Sequence, residues 1–84
     1  MNYTNRINRL TYTLTLLSKG NGVSTPSLVE FFGEGVTKKM VQTDFKEYLL
    51  PLFVDEKIYY DYADRVYRAK NNFLVKTLFS AEEL

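Results

Sequence analysis

The chain has no cysteine and no histidine. The first absence excludes disulfides and thiolate metal sites. The second removes the usual general base and the commonest zinc ligand. There is no run of about 18 apolar residues, so no segment reads as a membrane-spanning helix. The opening "MNYTNRINRL" lacks the apolar core of an export signal. No nucleophile elbow and no phosphate loop is present, so the sequence does not read as an enzyme and implies no cofactor. These absences together suggest a cytoplasmic, non-catalytic protein.

What is present is modest in amount. Eighty-four residues are 45% apolar and include seven Tyr and six Phe. A chain this short buries only about 60–65% of its unfolded surface, so aromatic side chains must supply much of its packing area. Net charge is +1. Residues 1–46 carry six basic residues against three acids, and residues 47–84 carry five against seven. The basic side is therefore the first half.

Ile7, Leu10, Leu14 and Leu17 recur at steps of three and four, which predicts an amphipathic helix over Thr4–Ser18. "SKGNG" ends it, with Gly20 suited to a left-handed cap and Gly22 keeping the chain loose. "VSTPSLVEFF" predicts a short second helix, capped by Ser24 or Thr25, with Pro26 in the first turn. A capping box of Ser27 with Glu30 is the alternative. Leu28, Phe31 and Phe32 form its apolar face. "GEG" (Gly33–Gly35) breaks it. Thr37 caps a third helix, about 37–50, which Pro51 stops. Its apolar stripe is Val41, Phe45, Tyr48 and Leu49.

The period then changes. "KIYYDYADRVYRAK" alternates Tyr, Val and Ile with polar residues, and predicts a β-hairpin over 57–62 and 65–70 that turns at Ala63-Asp64. "NNFLVKTLF" is an apolar tail. "SAEEL" resembles a capped helix start, and suggests that the chain continues into a further domain.

Two helices joined by a short glycine-containing turn fit a helix-turn-helix, and the hairpin after them makes it winged. In that arrangement the second helix lies in the major groove of DNA. Its polar arc is Thr37, Lys38, Lys39, Gln42, Thr43 and Lys46. Lys can bond guanine or phosphate, Gln can pair with adenine, and Thr can do either. A plain solvated face is the competing reading. Arg65 at the hairpin tip and Arg68 on its returning strand suit a phosphate or a minor groove, or else balance Asp61 and Asp64. Arg6 and Arg9 either touch the DNA backbone or face solvent. Asp44, in a basic helix, is expected to have a structural role, pairing with a Lys or Arg or bonding a backbone amide of a neighbouring element. The acids Asp55, Glu56, Asp61 and Asp64 fit no calcium loop. The run Tyr59, Tyr60, Tyr62, Tyr67 reads as packing, with a base-stacking platform as the alternative.

"VS" at Val23-Ser24, Leu28, "VT" at Val36-Thr37 and "MVQTDF" at Met40–Phe45 resemble the helix-turn-helix of DeoR-type regulators. The closest likeness is to the amino-terminal domain of WYL-domain bacterial transcriptional regulators. "IYYDYADRVYRAK" is similar to that family's wing, and "FSAEEL" to the start of its linker helix. The resemblance implies an α+β winged helix-turn-helix over 1–72, with 73–84 as tail or linker helix. It implies double-stranded DNA as partner and no small molecule in this part. The apolar tail Phe73, Leu74, Val75, Leu78 and Phe79 is expected either to cover the small core or to pack against a second copy of the chain, and a dimer would place two half-sites on one duplex. Two departures stand out: Gln42-Thr43 replaces a basic pair, and "GEG" lengthens the turn. The alternative is a winged-helix protein-interaction or dimerisation module that binds no DNA.

Overall fold

The computed structural model describes residues 2–53, 55 and 57–70. They form three helical rods followed by a two-stranded antiparallel hairpin, a small α+β arrangement. The apolar tail and linker-helix expectation, 73–84, lies outside the described residues.

Helix α1 spans Arg6–Ser18. Asn5 caps it by accepting from the amides of Ile7 and Asn8, and Gly20 at φ 82° closes it. The face it buries differs from the predicted one. Arg9, Thr13 and Leu17 point inward, Leu10 and Leu14 are half-buried, and Ile7 is 72% exposed. The apolar periodicity misplaced the face by roughly one residue because it left out a buried ion pair made by Arg9.

Helix α2 spans Thr25–Phe32, with Pro26 in its first turn. Ser24 is the cap and accepts from the Ser27 amide; the Ser27–Glu30 alternative is not used. Leu28 and Phe32 are buried. Phe31 is half out of the core, yet its ring stacks on Tyr12 at 4.2 Å, and Tyr3 closes on Phe32 at 4.8 Å. Such ring pairs add about 0.5–1.5 kcal/mol beyond area alone.

The turn from α2 to α3 uses Gly33 and Gly35 at φ 82° and 90°, a region that other residues reach only with strain. Val36 anchors the turn in the core. Thr37 then caps α3 by accepting from the Met40 amide. This rod starts as Lys38–Thr43, passes through a wide π-helical stretch at Asp44–Leu49 and finishes with a turn at Leu50–Leu52. Pro51 was expected to stop it, but the rod runs past that residue. In a regular α-helix the proline ring would press on the carbonyl four residues back. Here the Leu50 amide returns to Phe45, five residues back, so the chain is already in a wider turn when it reaches Pro51. The wide turn also keeps Phe45 and Leu49 on the side of Val41, and all three are buried. Tyr48 leaves the predicted stripe and is 38% exposed.

Strands β1 (Ile58–Asp61) and β2 (Val66–Ala69) pair Ile58 with Ala69 and Asp61 with Val66. The segment before α2 joins this sheet through a bridge that the sequence did not suggest. Val23 and Tyr67 exchange both backbone hydrogen bonds, at 2.9 and 2.7 Å. Gly22 is therefore not a loose spacer: a Cβ added there would lie 2.6 Å from Val66 Cγ2. The core collects Leu17, Leu28, Val41, Phe45, Leu49 and Ile58 from the three helical rods and β1, and Tyr67 and Ala69 of β2 pack against it. Phe45, fully buried, sits at its centre and stacks on Tyr67 with centroids 3.8 Å apart.

Candidate nucleic-acid interface

With Val41, Phe45 and Leu49 turned into the core, the opposite side of α3 must face water. Thr37, Lys38, Lys39, Gln42 and Lys46 are exposed there, and Thr43 is half-buried. The arc forms a ridge between two grooves. On one side Lys38 and Gln42, together with Arg65 and Tyr62 of the hairpin, line an open groove of about 780 Å³. On the other, Thr37, Lys39 and Thr43 share a groove of about 420 Å³ with Thr4, Arg6 and Arg9. Spacing explains the division: residues four apart on a helix share a face, so 38 goes with 42 and 39 with 43. Lys38, Lys39, Lys46 and Arg65 make no ion pair among the described residues.

Asp44 fixes how α3 sits on α1. Its carboxylate is buried and accepts from Arg9 Nε at 2.6 Å and Arg9 Nη2 at 3.1 Å. Arg9 Nη1 donates to the carbonyls of Tyr3 and Thr4, both at 2.9 Å. The guanidinium is thus used on all three nitrogens, and neither a solvent-facing role nor a backbone contact with DNA fits Arg9. Asp44 has the pairing role expected of it. Arg6 differs from Arg9. Its Nε lies 3.4 Å from Asp44, its Cζ sits 4.3 Å over the Tyr48 ring, and 46% of its side chain is accessible.

In the hairpin, Asp61 organises the turn by accepting from the amides of Ala63 and Asp64. This side-chain cap replaces the glycine that tight hairpin turns usually require. Arg65 completes the loop at φ 57°, a left-handed conformation that is costly for residues other than glycine, Asn or Asp because the Cβ crowds the following carbonyl oxygen. Its side chain is exposed and lines the larger groove. Arg68 is held within the hairpin, donating from Nε to Asp61 at 3.0 Å and from Nη2 to Asp64 at 2.7 Å. The Arg68 guanidinium, followed by the Asp64 and Ala63 amides, holds the Asp61 carboxyl below its ordinary value, and Arg68 is raised in turn by Asp61 and then Asp64. Burial, then the neighbouring Tyr60 and Tyr62, pushes the Tyr67 phenol above its usual range.

The structure therefore brings Lys38, Gln42 and Arg65 to one groove and Thr37, Lys39 and Thr43 to another, with Lys46 further along the exposed rod. Arg68 stands apart as the internal partner of two hairpin acids. Thr25 and Pro26 at the start of α2, and Thr4 before α1, also line these grooves, although along the chain they mark only helix starts. Nothing in their residue types marks them; only the docking of the elements brings them in. Among the described residues there is no cluster of three potential metal ligands, and no helix is long and apolar enough to cross a membrane.

Comparison with family models, with curated proteins and with solved structures gives no match for this chain.

Proposed function

We propose that this chain is a winged helix-turn-helix that binds double-stranded DNA, the reading head of a transcriptional regulator of the WYL or DeoR type. In this reading α3 lies in the major groove, and the hairpin is the wing that meets backbone or minor groove. The observation that carries it is the ridge of α3. Along its polar arc Thr37, Lys38, Lys39, Gln42 and Lys46 are exposed, and its lysines make no ion pair among the described residues. The order of helix, bridge, two helices and hairpin supports the same reading. Thr37, Lys38, Lys39, Gln42, Thr43 and Lys46 are the DNA-facing residues of α3, and Arg65 that of the wing. Arg68 holds the wing in shape and reaches DNA only by giving up an acid.

The decisive experiment selects bound sequences from random duplex DNA, then measures the enriched site with Lys38→Ala/Lys39→Ala and with Gln42→Ala. The lysine variant should weaken binding to all sequences and flatten its salt dependence by about one unit of slope per phosphate contact removed. The glutamine variant should relax base preference. If neither change alters affinity or preference, α3 is not the reading helix. A second reading, an interaction module without DNA affinity, draws on the groove along Leu10, Leu14, Tyr48 and Leu52, where Leu52 is 71% exposed. Concentration-dependent self-association with no duplex binding would favour it.

A further inference from the structure

The groove between α3 and the hairpin has a wall that duplex reading leaves unexplained. A file of rings rises from the core to the surface. Phe45 stacks on Tyr67, Tyr67 meets Tyr60 edge to face at 4.9 Å, and Tyr60 meets Tyr62 in the same way at 4.9 Å. The first three members are packing residues. Tyr62 is not, since it is 84% exposed. Its contact with Tyr60 steadies an aromatic ring that otherwise stands in water. The same groove is lined by Lys38 and Gln42 of α3 and by Arg65 of the hairpin, and neither cation makes an ion pair among the described residues. Arg65 holds its place at a left-handed φ of 57°, a conformation that costs energy.

These groups match the parts of one nucleotide. A ring face stacks on a base, a cation takes the phosphate, and an amide bonds a base edge. A base inside a duplex shows a protein only its edges, so an exposed tyrosine face is of no use to it. A base out of the stack shows its face, and stacking on an aromatic side chain is how single strands are held. The groove volume of about 780 Å³ lies within the range of small-ligand sites.

We propose that this groove is a site for an unpaired nucleotide of a single strand, with its base on Tyr62, its phosphate between Lys38 and Arg65, and a base edge on Gln42. The site goes beyond the duplex reading and stands without it. Since Lys38 and Gln42 serve both, single strand and duplex compete.

The test is fluorescence anisotropy with a labelled oligothymidylate strand, run beside a labelled duplex carrying the site enriched by selection, on the full chain and on Tyr62→Phe, Tyr62→Ala and Arg65→Ala. Tyr62 is exposed enough that its variants should keep the parent's far-ultraviolet circular dichroism. The strand should bind the parent and Tyr62→Phe alike. Tyr62→Ala should bind roughly five- to 150-fold more weakly, the range that stacking contributes per base. Arg65→Ala should weaken binding and reduce its salt dependence. The site is overturned if Tyr62→Ala binds the strand like the parent, if Tyr62→Phe loses as much as Tyr62→Ala, or if the strand does not bind at all. Strand binding without duplex binding would sink the duplex reading alone, and the reverse result would sink this site alone.

Discussion

Replacing Asp44 by alanine should remove a large part of this protein's stability. The carboxylate is buried and holds two of the three nitrogens of an Arg9 guanidinium whose side chain is 3% exposed. Without Asp44, a cation stays in the interior with only the carbonyls of Tyr3 and Thr4 as partners. Breaking a buried pair from one side typically costs about 3–5 kcal/mol, because the remaining charge is uncompensated. At roughly 0.05–0.15 kcal/mol per residue, a chain of this length has a total stability of about 4–13 kcal/mol. The loss is therefore roughly a quarter of the total or more. In thermal terms, at about 4–8 °C per kcal/mol for a domain of this size, Tm should fall by roughly 12–40 °C. Urea unfolding followed by circular dichroism measures the change as a shift of midpoint at constant slope. The control is the double replacement Arg9→Met/Asp44→Leu, which removes both charges and should recover much of the loss, since apolar residues often substitute for a buried pair without cost. A loss below about 1 kcal/mol for Asp44→Ala would refute the reasoning, as would a double variant no more stable than the sum of its parts.

Three further outcomes follow from local geometry. Gly22→Ala places a Cβ 2.6 Å from Val66 Cγ2 and 3.2 Å from Arg68 Nη1, so it should destabilise by about 1–3 kcal/mol in urea unfolding; an unchanged midpoint would mean that the bridge between Val23 and Tyr67 is not formed as described. Arg65→Gly relieves a left-handed residue and should hold or raise stability by up to about 1 kcal/mol while weakening nucleic-acid binding; loss of stability would show that the Arg65 side chain supports the turn. Asp61 has its carboxyl held below the ordinary 3.8 by Arg68. A depressed acid contributes stability that is present above the unfolded value and lost as pH falls through the folded one, so the contribution should fade below about pH 4. Arg68→Ala should raise the Asp61 midpoint in an NMR titration and flatten that acid limb, and an unmoved midpoint would refute the pairing.

Much of the outline was readable along the chain. The three helical segments, the Thr37 cap, the Gly20 and Gly33–Gly35 breaks and the hairpin all appear where propensity and periodicity put them. Local signals suffice for these because caps, turns and periods act over four residues or fewer. The polar arc of α3 was legible for the same reason, since it is what remains after Val41, Phe45 and Leu49 are assigned to the core. The face of α1 was not. Counting apolar residues placed Ile7 inside and Arg9 outside, and the folded chain does the reverse. Nothing near Arg9 in sequence announces a partner 35 residues away.

The sequence by itself determined the elements and their order, the polar character of α3, and the absence of histidine and cysteine. It did so because each of these depends on residue type and short spacing. Tertiary structure alone decided which charges are spent and which remain. Arg9 is consumed by Asp44 and Arg68 by Asp61 and Asp64, while Lys38, Lys39, Lys46 and Arg65 make no ion pair among the described residues. It also divided one polar arc between two grooves and stood Tyr62 at the rim of the larger one. The physical reason is that desolvation and pairing are set by what packs across a gap, and the chain does not write that distance into any local stretch.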